Sequence, residues 1–222
     1  MLASVLGACA QQAPPDPATC PRRTLVLEFD GGTYYGDGFD HDDASTNVSS
    51  TLYESGTLSA YHASDPDRAT RIAMIVDQVC AALAPFPINV LTEKPAPGPY
   101  LAVAVGGYPS ELGYDSTMIG LGGDNHCETG APHGLAIVFG DQIESRFGDV
   151  PEMVGNMIIG EYGGLKAVPG SSSTTDCMST RGWDPGVTCT IGGVDTARDP
   201  ATACGSGATF HEHEAFALAP CD

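Results

Sequence analysis

The stretch "DVPEMVGNMIIGEYGGLKAV", residues 149–168, predicts a helix that ends at its Gly-Gly pair. Asp149 can accept hydrogen bonds from the free N–H groups of the first turn, and Glu152, three positions later, completes a capping box. Apolar residues then recur at the three- and four-residue steps of a helix face that packs on a core. We therefore expect a helix in which Met157 and Ile158 are at least partly buried.

The chain before this helix alternates strand and helix patterns. Residues 24–32, "TLVLEFDGG", alternate apolar side chains and then stop at a Gly-Gly turn. Within residues 64–86, Asp65 as N-cap and Pro66 at the first helical position precede an amphipathic helix. Further strands are predicted at 88–94, 100–107 and 134–143. This order predicts an α/β (α+β) fold, a mixed sheet with two main helices, in one domain over residues 24–222.

Residues 33–50, "TYYGDGFDHDDASTNVSS", are polar and acidic, and they predict a long surface loop. Asp40, Asp42 and Asp43 lie close together in this stretch and offer the hard oxygen ligands that Ca²⁺ takes. The ligand alternation and the closing glutamate of an EF-hand are missing. Two interpretations stay open, a weak calcium site and a solvated acidic loop.

The end of the predicted helix, Val150 to Gly163, and the residues after it have a spacing of small residues that resembles a known zinc helix. Gly160, Gly164 and Leu165, followed downstream by Met178 in "DCMS", resemble the metzincin-type zinc endopeptidases, in particular secreted bacterial proteins of that type. The family's motif is HExxHxxGxxH followed by a Met-turn, in which three histidines bind the ion and the glutamate acts as general base. Gly164 matches the motif glycine and Met178 the Met-turn. The resemblance implies a metzincin-like fold over about residues 24–180.

The metal-binding positions of that motif are not retained. Met157 stands at the first histidine, Ile158 at the glutamate, Glu161 at the second histidine and Ala167 at the third. Only Glu161 can bind a metal, and one carboxylate is a poor ligand set for zinc. The resemblance therefore implies a catalytically inactive relative with no cofactor. The alternative is a zinc-dependent endopeptidase that recruits its ligands from Glu161 and the scattered histidines.

Histidines cluster at two other places in the sequence. In "FHEHEAF", His211 and His213 would lie on one face of a strand, where two imidazoles can bind zinc or copper once a third ligand joins them. The alternative interpretation is that these polar side chains face solvent and bind no metal. His126 and His133 flank Cys127 in a Gly-rich loop, and we expect Cys127 to form a disulfide rather than bind a metal.

The N-terminal residues resemble an export signal. "LGAC", which ends at Cys9, is similar to the bacterial lipobox, so we expect residues 1–9 to be a truncated lipoprotein signal with lipid on Cys9. Residues 10–23 are rich in Pro and Ala and predict an extended tether. These features predict an extracytoplasmic protein, either secreted or a lipoprotein of the bacterial outer membrane or cell surface.

Charge and cysteine content restrict the possible partners. Nine Lys and Arg residues against 28 Asp and Glu give a net charge of -19, which disfavours nucleic acid and anionic bilayers, so membrane contact should occur only through a lipid anchor. Eight cysteines without a CxxC pair predict disulfides that pin a loop-rich C-terminal region. Lipid on Cys9 would leave an odd number, and Cys80, on an apolar helix face, is the expected free thiol.

The combined features predict a binding module. We expect an exported, lipid-anchored, inactive metzincin-like domain that binds a peptide or protein ligand as a monomer. Residues 134–140 are the expected edge strand, which would pair with an extended peptide through backbone hydrogen bonds.

Overall fold

A computed structural model of the 222-residue chain describes residues 23–36, 42–86, 88–95, 100–122, 134–148, 151–162, 189–190, 195–197 and 209–211. The described helices are α1 (Arg68–Leu83), α2 (Gly140–Phe147) and α3 (Pro151–Tyr162). The described strands are β1 (Arg23–Glu28), β2 (Gly32–Gly36), β3 (Val48–Ser49), β4 (Gly56–Leu58), β5 (Ile88–Leu91), β6 (Leu101–Val105), β7 (Gly120–Leu121), β8 (Leu135–Val138), β9 (Asp195–Ala197) and β10 (Thr209–His211). The predicted α/β class, with a mixed sheet, is confirmed.

A five-stranded sheet with the order β5-β1-β6-β8-β7 forms the centre of the fold. The first four strands are parallel, and β7 pairs with β8 in the antiparallel sense. All four residues of β8 are buried, as expected of a parallel strand covered on both faces.

Each face of this sheet contacts its own apolar cluster. Leu25 and Leu27 of β1 point toward α1 and α3, and the same cluster contains Cys189 from the C-terminal part of the chain. Val26, between them, points to the opposite face, where it packs in a cluster with Tyr34 of β2. The alternation along β1 therefore places helices on one face and a small three-stranded sheet, β3-β2-β4, on the other.

The prediction of one long loop over residues 33–50 is wrong for part of that stretch. Two short strands, β2 and β3, form within it, and Tyr34 and Ser49 are buried. The polar composition hid these strands because only one side chain in two faces the core, while Thr33 and Tyr35 face solvent.

The helices differ from the prediction at two places. α1 begins two residues after Pro66, with Asp67 as its N-cap, while Asp65 accepts a hydrogen bond from the Asp67 amide (2.8 Å) in the preceding turn. The strand predicted over 134–143 ends at Val138, and the chain turns directly into the helix α2. The molecule therefore has three described helices instead of the two predicted.

The helix predicted over residues 150–163 is confirmed over its described part, residues 151–162, which form α3. Ile158 is fully buried, and Met157 is half-buried against the same core cluster. Buried Asn156 fixes α3 to its surroundings, because its Oδ1 accepts hydrogen bonds from Gln78 Nε2 of α1 (2.6 Å) and from the backbone N–H of Cys189 (3.1 Å).

Two further predictions need correction. Residues 134–140 do not form the edge strand, since β8 lies between β6 and β7, and β7 occupies that edge. Cys80 is not a free thiol, because Cys80 and Cys189 are both disulfide-bonded. The other six cysteines lie outside the described residues, so the pinning of the C-terminal region as a whole stays a prediction. No helix in the described part of the chain is long and apolar enough to cross a membrane.

Candidate functional site

The helix α3 carries three of the motif positions, and the structure describes the side chains of two of them. Met157 and Ile158 lie against the core, as described above. The backbone of Glu161 belongs to α3, while its side chain lies outside what the structure describes. Gly164, Ala167 and Met178 lie entirely outside the described residues.

The acidic stretch uses its described carboxylates in internal hydrogen bonds. Asp42 Oδ1 accepts from the backbone N–H of Ser50 (2.6 Å). Asp43 accepts from the N–H and hydroxyl of Ser45 (2.9 and 2.6 Å) and from the hydroxyl of Thr46 (2.8 Å). These bonds shape the turn that leads into β3. Asp40 lies outside the described residues.

A lysine supplies positive charge beside this turn. Lys94 Nζ donates to the carbonyl oxygen of Ala44 (2.8 Å) and to Asn47 Oδ1 (2.5 Å), and it lies 3.1 Å from Glu28 Oε1. An ammonium group surrounded by three oxygens occupies the kind of position that a bound cation would take. None of these three oxygens belongs to the candidate calcium ligands Asp40, Asp42 and Asp43, so the calcium interpretation stays a prediction.

The predicted histidine sites are not brought together in the described part of the chain. His211 ends β10, which pairs antiparallel with β9, and its side chain is not described. His213, His126 and His133 lie outside the described residues. Among the residues that are described, no group of three His, Cys, Asp or Glu side chains could hold a metal ion.

The most structured polar site lies elsewhere, at the carboxyl ends of the parallel strands. The segment between β4 and α1 crosses this edge, where Ala60 bridges to Gly106 just after β6. His62 follows with φ of 44°, a left-handed conformation that is unusual for a residue other than glycine. Asp141 and Glu144 approach it from α2, which begins directly after β8. The His62 cluster consists of Tyr61, His62, Asp65, Arg71, Asp141 and Glu144.

Glu144 is the centre of the His62 cluster. Its side chain is only 3% exposed, and a carboxylate at such a position must be paired to be stable. The Tyr61 hydroxyl donates to Oε1 (2.8 Å). His62 Nε2 and Arg71 Nη1 lie 2.5 and 3.4 Å from Oε2. Both carboxyl oxygens therefore have partners from two other elements of the fold.

His62 is surrounded by carboxylates. Its backbone N–H donates to Asp141 Oδ1 (3.0 Å), and its ring Nε2 is 3.5 Å from the same oxygen. Nδ1, on the other side of the ring, lies 3.6 Å from Asp65 Oδ2. The Asp141 bond to the backbone explains how the left-handed conformation of His62 is held.

Burial shifts the acid–base behaviour of the cluster. Burial raises the pKa of the Glu144 carboxyl above its usual range, and the hydrogen bonds from Tyr61 and His62 oppose that shift in part. Burial also raises the pKa of Asp141, against the bond from the His62 amide. The pKa of Tyr61 is raised by burial and by the nearby Glu144 charge, so this hydroxyl stays a donor.

The position of the cluster is one at which α/β proteins bind ligands. From β1 the chain crosses to β5 on one side, while β6 leads to β8 on the other, so the strand order reverses between β1 and β6. The chain's own groups occupy this point. Arg68 donates to the carbonyls of Phe29 and Tyr61 (2.8 and 2.7 Å), and a Cβ at Gly107 would collide with the carboxylate of Glu111.

Sequence reasoning missed the His62 cluster, although one signal was present. "FGDQIE" places Asp141 and Glu144 three residues apart, directly after a fully apolar run. Polar residues that follow a buried parallel strand lie at the edge where ligand sites form. His62 carries no such signal, because it comes from a connecting segment about 80 residues earlier in the chain. Comparison of the chain with known protein families, with curated proteins and with solved structures found no match.

Proposed function

We propose that this chain is an exported, lipid-anchored and catalytically inactive metzincin-like domain that binds an extended peptide or protein segment. The packing of α3 is the observation that carries this proposal. Ile158, at the position of the catalytic glutamate in the resemblance, is fully buried and apolar, so no group there can take a proton from water. Met157, at the first histidine position, packs on the same core.

The outer edge of β7, which pairs with no further strand among the described residues, supports the proposed mode of binding. The amide of Phe139 donates to the carbonyl of Ile119 (3.0 Å), which makes this residue pair a hydrogen-bonded pair of the antiparallel ladder. Gly120, the next residue, is opposite Val138, and its backbone N–H and C=O therefore point away from β8. These groups can pair with an added strand.

Two exposed apolar side chains belong to the segments on either side of β7 and β8. Met118, just before β7, and Phe147, at the end of α2, are more than one-third exposed. Hydrogen bonds from Gln142 and Arg146 to the carbonyls of Ser116 and Thr117 fasten α2 to the segment that leads into β7. An extended ligand along β7 would find both backbone partners and apolar contacts.

The two disulfide-bonded cysteines favour an extracytoplasmic location, since disulfides persist in oxidising compartments. Lipid attachment at Cys9 is supported by the lipobox resemblance alone. Mass spectrometry of a precursor with a complete signal would test it, and an unmodified Cys9 would remove the anchor from the proposal.

Binding at β7 can be tested with a matched pair of variants and a library of unstructured peptides. Gly120→Pro removes the outward N–H at an edge position where proline is tolerated, while Gly120→Ala keeps it. We expect peptides selected on the wild type to bind G120P at least about tenfold more weakly, the loss of one or more backbone hydrogen bonds, and to bind G120A within about threefold. Equal affinity for the two variants would exclude pairing at β7.

The inactivity is tested by elemental analysis and a peptidase assay. We expect less than stoichiometric zinc and no chelator-sensitive cleavage, because Met157 and Ile158 cannot replace a histidine and a general base. One zinc per chain that is lost in Glu161→Ala, together with chelator-sensitive proteolysis, would favour the alternative, a zinc endopeptidase with a non-standard ligand set.

A further inference from the structure

The side chain of Lys94 meets the side-chain amide of Asn47, which lies 47 residues earlier in the chain. The Nζ atom of Lys94 is 2.5 Å from Asn47 Oδ1. Because a C=O bond is about 1.23 Å long, Nζ can lie no further than about 3.7 Å from the amide carbon Cγ. Reacting atoms in a productive arrangement are about 3–3.5 Å apart. A lysine nitrogen and an amide carbon are therefore held close to reacting distance.

Both groups are fixed by bonds to the surrounding backbone. Asn47 Nδ2 donates to the carbonyl oxygen of Thr33 (3.1 Å), and the Asn47 carbonyl oxygen accepts from the N–H of Tyr35 (2.8 Å). Asn47 has a φ of 60°, a left-handed conformation that asparagine tolerates better than most residues. Lys94 Nζ also donates to the carbonyl oxygen of Ala44 (2.8 Å). The amide and the amine thus keep their relative position.

A mostly buried carboxylate lies next to the Lys94 nitrogen. Glu28 Oε1 is 3.1 Å from Nζ, and the Glu28 side chain is only 14% exposed. Burial raises the pKa of the Glu28 carboxyl, while the Lys94 charge opposes the rise. Burial and the Glu28 charge also raise the pKa values of Tyr34 and Tyr100, so both rings lie near this carboxyl. Glu28 is therefore a base that can take a proton from the ammonium group and hold it.

We propose that Lys94 and Asn47 form an intramolecular amide bond, with Glu28 as the acid–base group. Glu28 takes a proton from the ammonium group, and the nitrogen lone pair attacks Cγ of Asn47, so that the carbonyl electron pair moves to Oδ1. When that pair re-forms the C=O bond, the bond between Cγ and Nδ2 breaks. Nζ gives up two protons in all, and both leave on Nδ2 as an ammonium ion, carried there by Glu28. Nothing is oxidised or reduced.

The ion pair between Lys94 and Glu28 is the starting state, and the amide bond accumulates from it with time. Lysine side chains are mostly protonated at neutral pH, so the reactive amine is scarce there and becomes more abundant as the pH rises. The Lys94 side chain is also 31% exposed, which favours its charged form. The product joins the segment after β5, an edge strand of the central sheet, to the turn before β3.

The mass of the intact chain tests the proposal. The folded wild type is incubated at about pH 9, where more lysine is neutral, and is then denatured and fully reduced. We expect a species about 17 Da lighter than the sequence mass, which is the loss of one ammonia. The chain has two lysines, Lys94 and Lys166, so the number of side-chain amines that an acylating reagent modifies should fall from two to one. A digest should contain a linked pair of peptides that carry Asn47 and Lys94.

Two variants and a denatured sample distinguish this bond from other changes. Lys94→Arg keeps the positive charge but has no primary amine, so its mass should not change. Glu28→Gln removes the base and should slow the formation of the lighter species at least about tenfold. Wild type incubated in urea should not form it, because the groups are no longer held together. An equal mass loss in K94R, which would indicate a succinimide at Asn47, a wild-type chain that keeps its full mass, or an equal rate in E28Q would each overturn the proposal.

Discussion

Lys94 shows how single side chains give the acidic stretch a structure that its composition does not predict. The polar composition of the stretch predicts a loop, whereas part of it forms β2 and β3, and the calcium interpretation stays a prediction because Asp40 lies outside the described residues. The Asp43 carboxylate accepts hydrogen bonds within its own turn. The ammonium group of Lys94 contacts oxygens of β1 and of that turn. Burial raises the pKa of Glu28, and Lys94 limits that rise. The bonds from Lys94 to Ala44 and Asn47 therefore connect the central sheet to the turn that precedes β3.

Replacement of Lys94 by methionine should destabilise the protein. The change keeps most of the side-chain volume but leaves the partly buried Glu28 without its cation, which should cost about 1–3 kcal/mol at pH 7. Because Glu28 can take up a proton in acid, and its pKa should rise further without Lys94, the deficit should shrink as the pH falls. Urea denaturation at two pH values measures both effects.

The double variant Lys94→Met, Glu28→Gln is the control for this interpretation. It removes the uncompensated charge, so it should recover part of the lost free energy of unfolding. Its remaining loss relative to the wild type should not become smaller in acid. A deficit that is equal in the single and double variants would mean that Lys94 acts through Ala44 and Asn47 rather than through Glu28.

At the scale of single elements, the direct change from β8 to α2 is the main feature that the apolar pattern of the sequence did not predict. In "GLAIVFGDQI" a short apolar run is followed by Gly-Asp-Gln-Ile, and a run of this length cannot be assigned to strand or helix by periodicity. The deciding contact is long-range. A Cβ at Gly140 would come within 2.8 Å of the Tyr61 ring and 3.2 Å of Val105, so any larger residue at this turn must displace these side chains.

Gly140→Ala should therefore destabilise the fold, although alanine favours helices. The added methyl group would displace the Tyr61 ring and weaken its hydrogen bond to Glu144, at a cost of about 1–3 kcal/mol. The same change in a Tyr61→Leu background should cost less than half as much, because the obstructing ring is absent. Denaturation midpoints of the four proteins give the coupling directly, and additive costs would show that the two positions do not interact.

Elements with strong local signals were predictable, and elements defined by distant partners were not. The helices α1 and α3 have apolar steps at helical spacing, and β1, β5 and β6 have flanking turn residues. β7 consists of two residues, Gly120 and Leu121, and becomes a strand only by pairing with β8. The sequence therefore predicted the edge strand at 134–140, which is β8, whereas the edge strand is its neighbour β7. The His62 cluster was missed for the same reason, because its members come from three separate elements.

At the scale of the whole molecule, two disulfide-bonded cysteines from distant parts of the chain lie in one core cluster. Cys80 lies on α1 and Cys189 near the C-terminal part of the chain, and both belong to the core on the helical face of the sheet. The helical periodicity correctly placed Cys80 on a largely apolar face, but periodicity does not report oxidation. A buried thiol and a buried disulfide have the same apolar pattern in a sequence.

The disulfide at Cys80 leads to a prediction about the number of free thiols, which should rise and not fall when Cys80 is replaced. Cys80→Ala should expose one additional free thiol in the denatured, non-reduced chain, because the partner of Cys80 loses its bond. If Cys80 were a free thiol, the variant would instead have one free thiol fewer than the wild type. The variant should also lose about 2–5 kcal/mol of stability, measured by urea denaturation, as is typical when a small secreted domain loses a disulfide. Cys9→Ser in the non-lipidated chain is the control: it should remove one thiol and leave the urea midpoint unchanged, since a lipid-bearing cysteine is not needed for a disulfide.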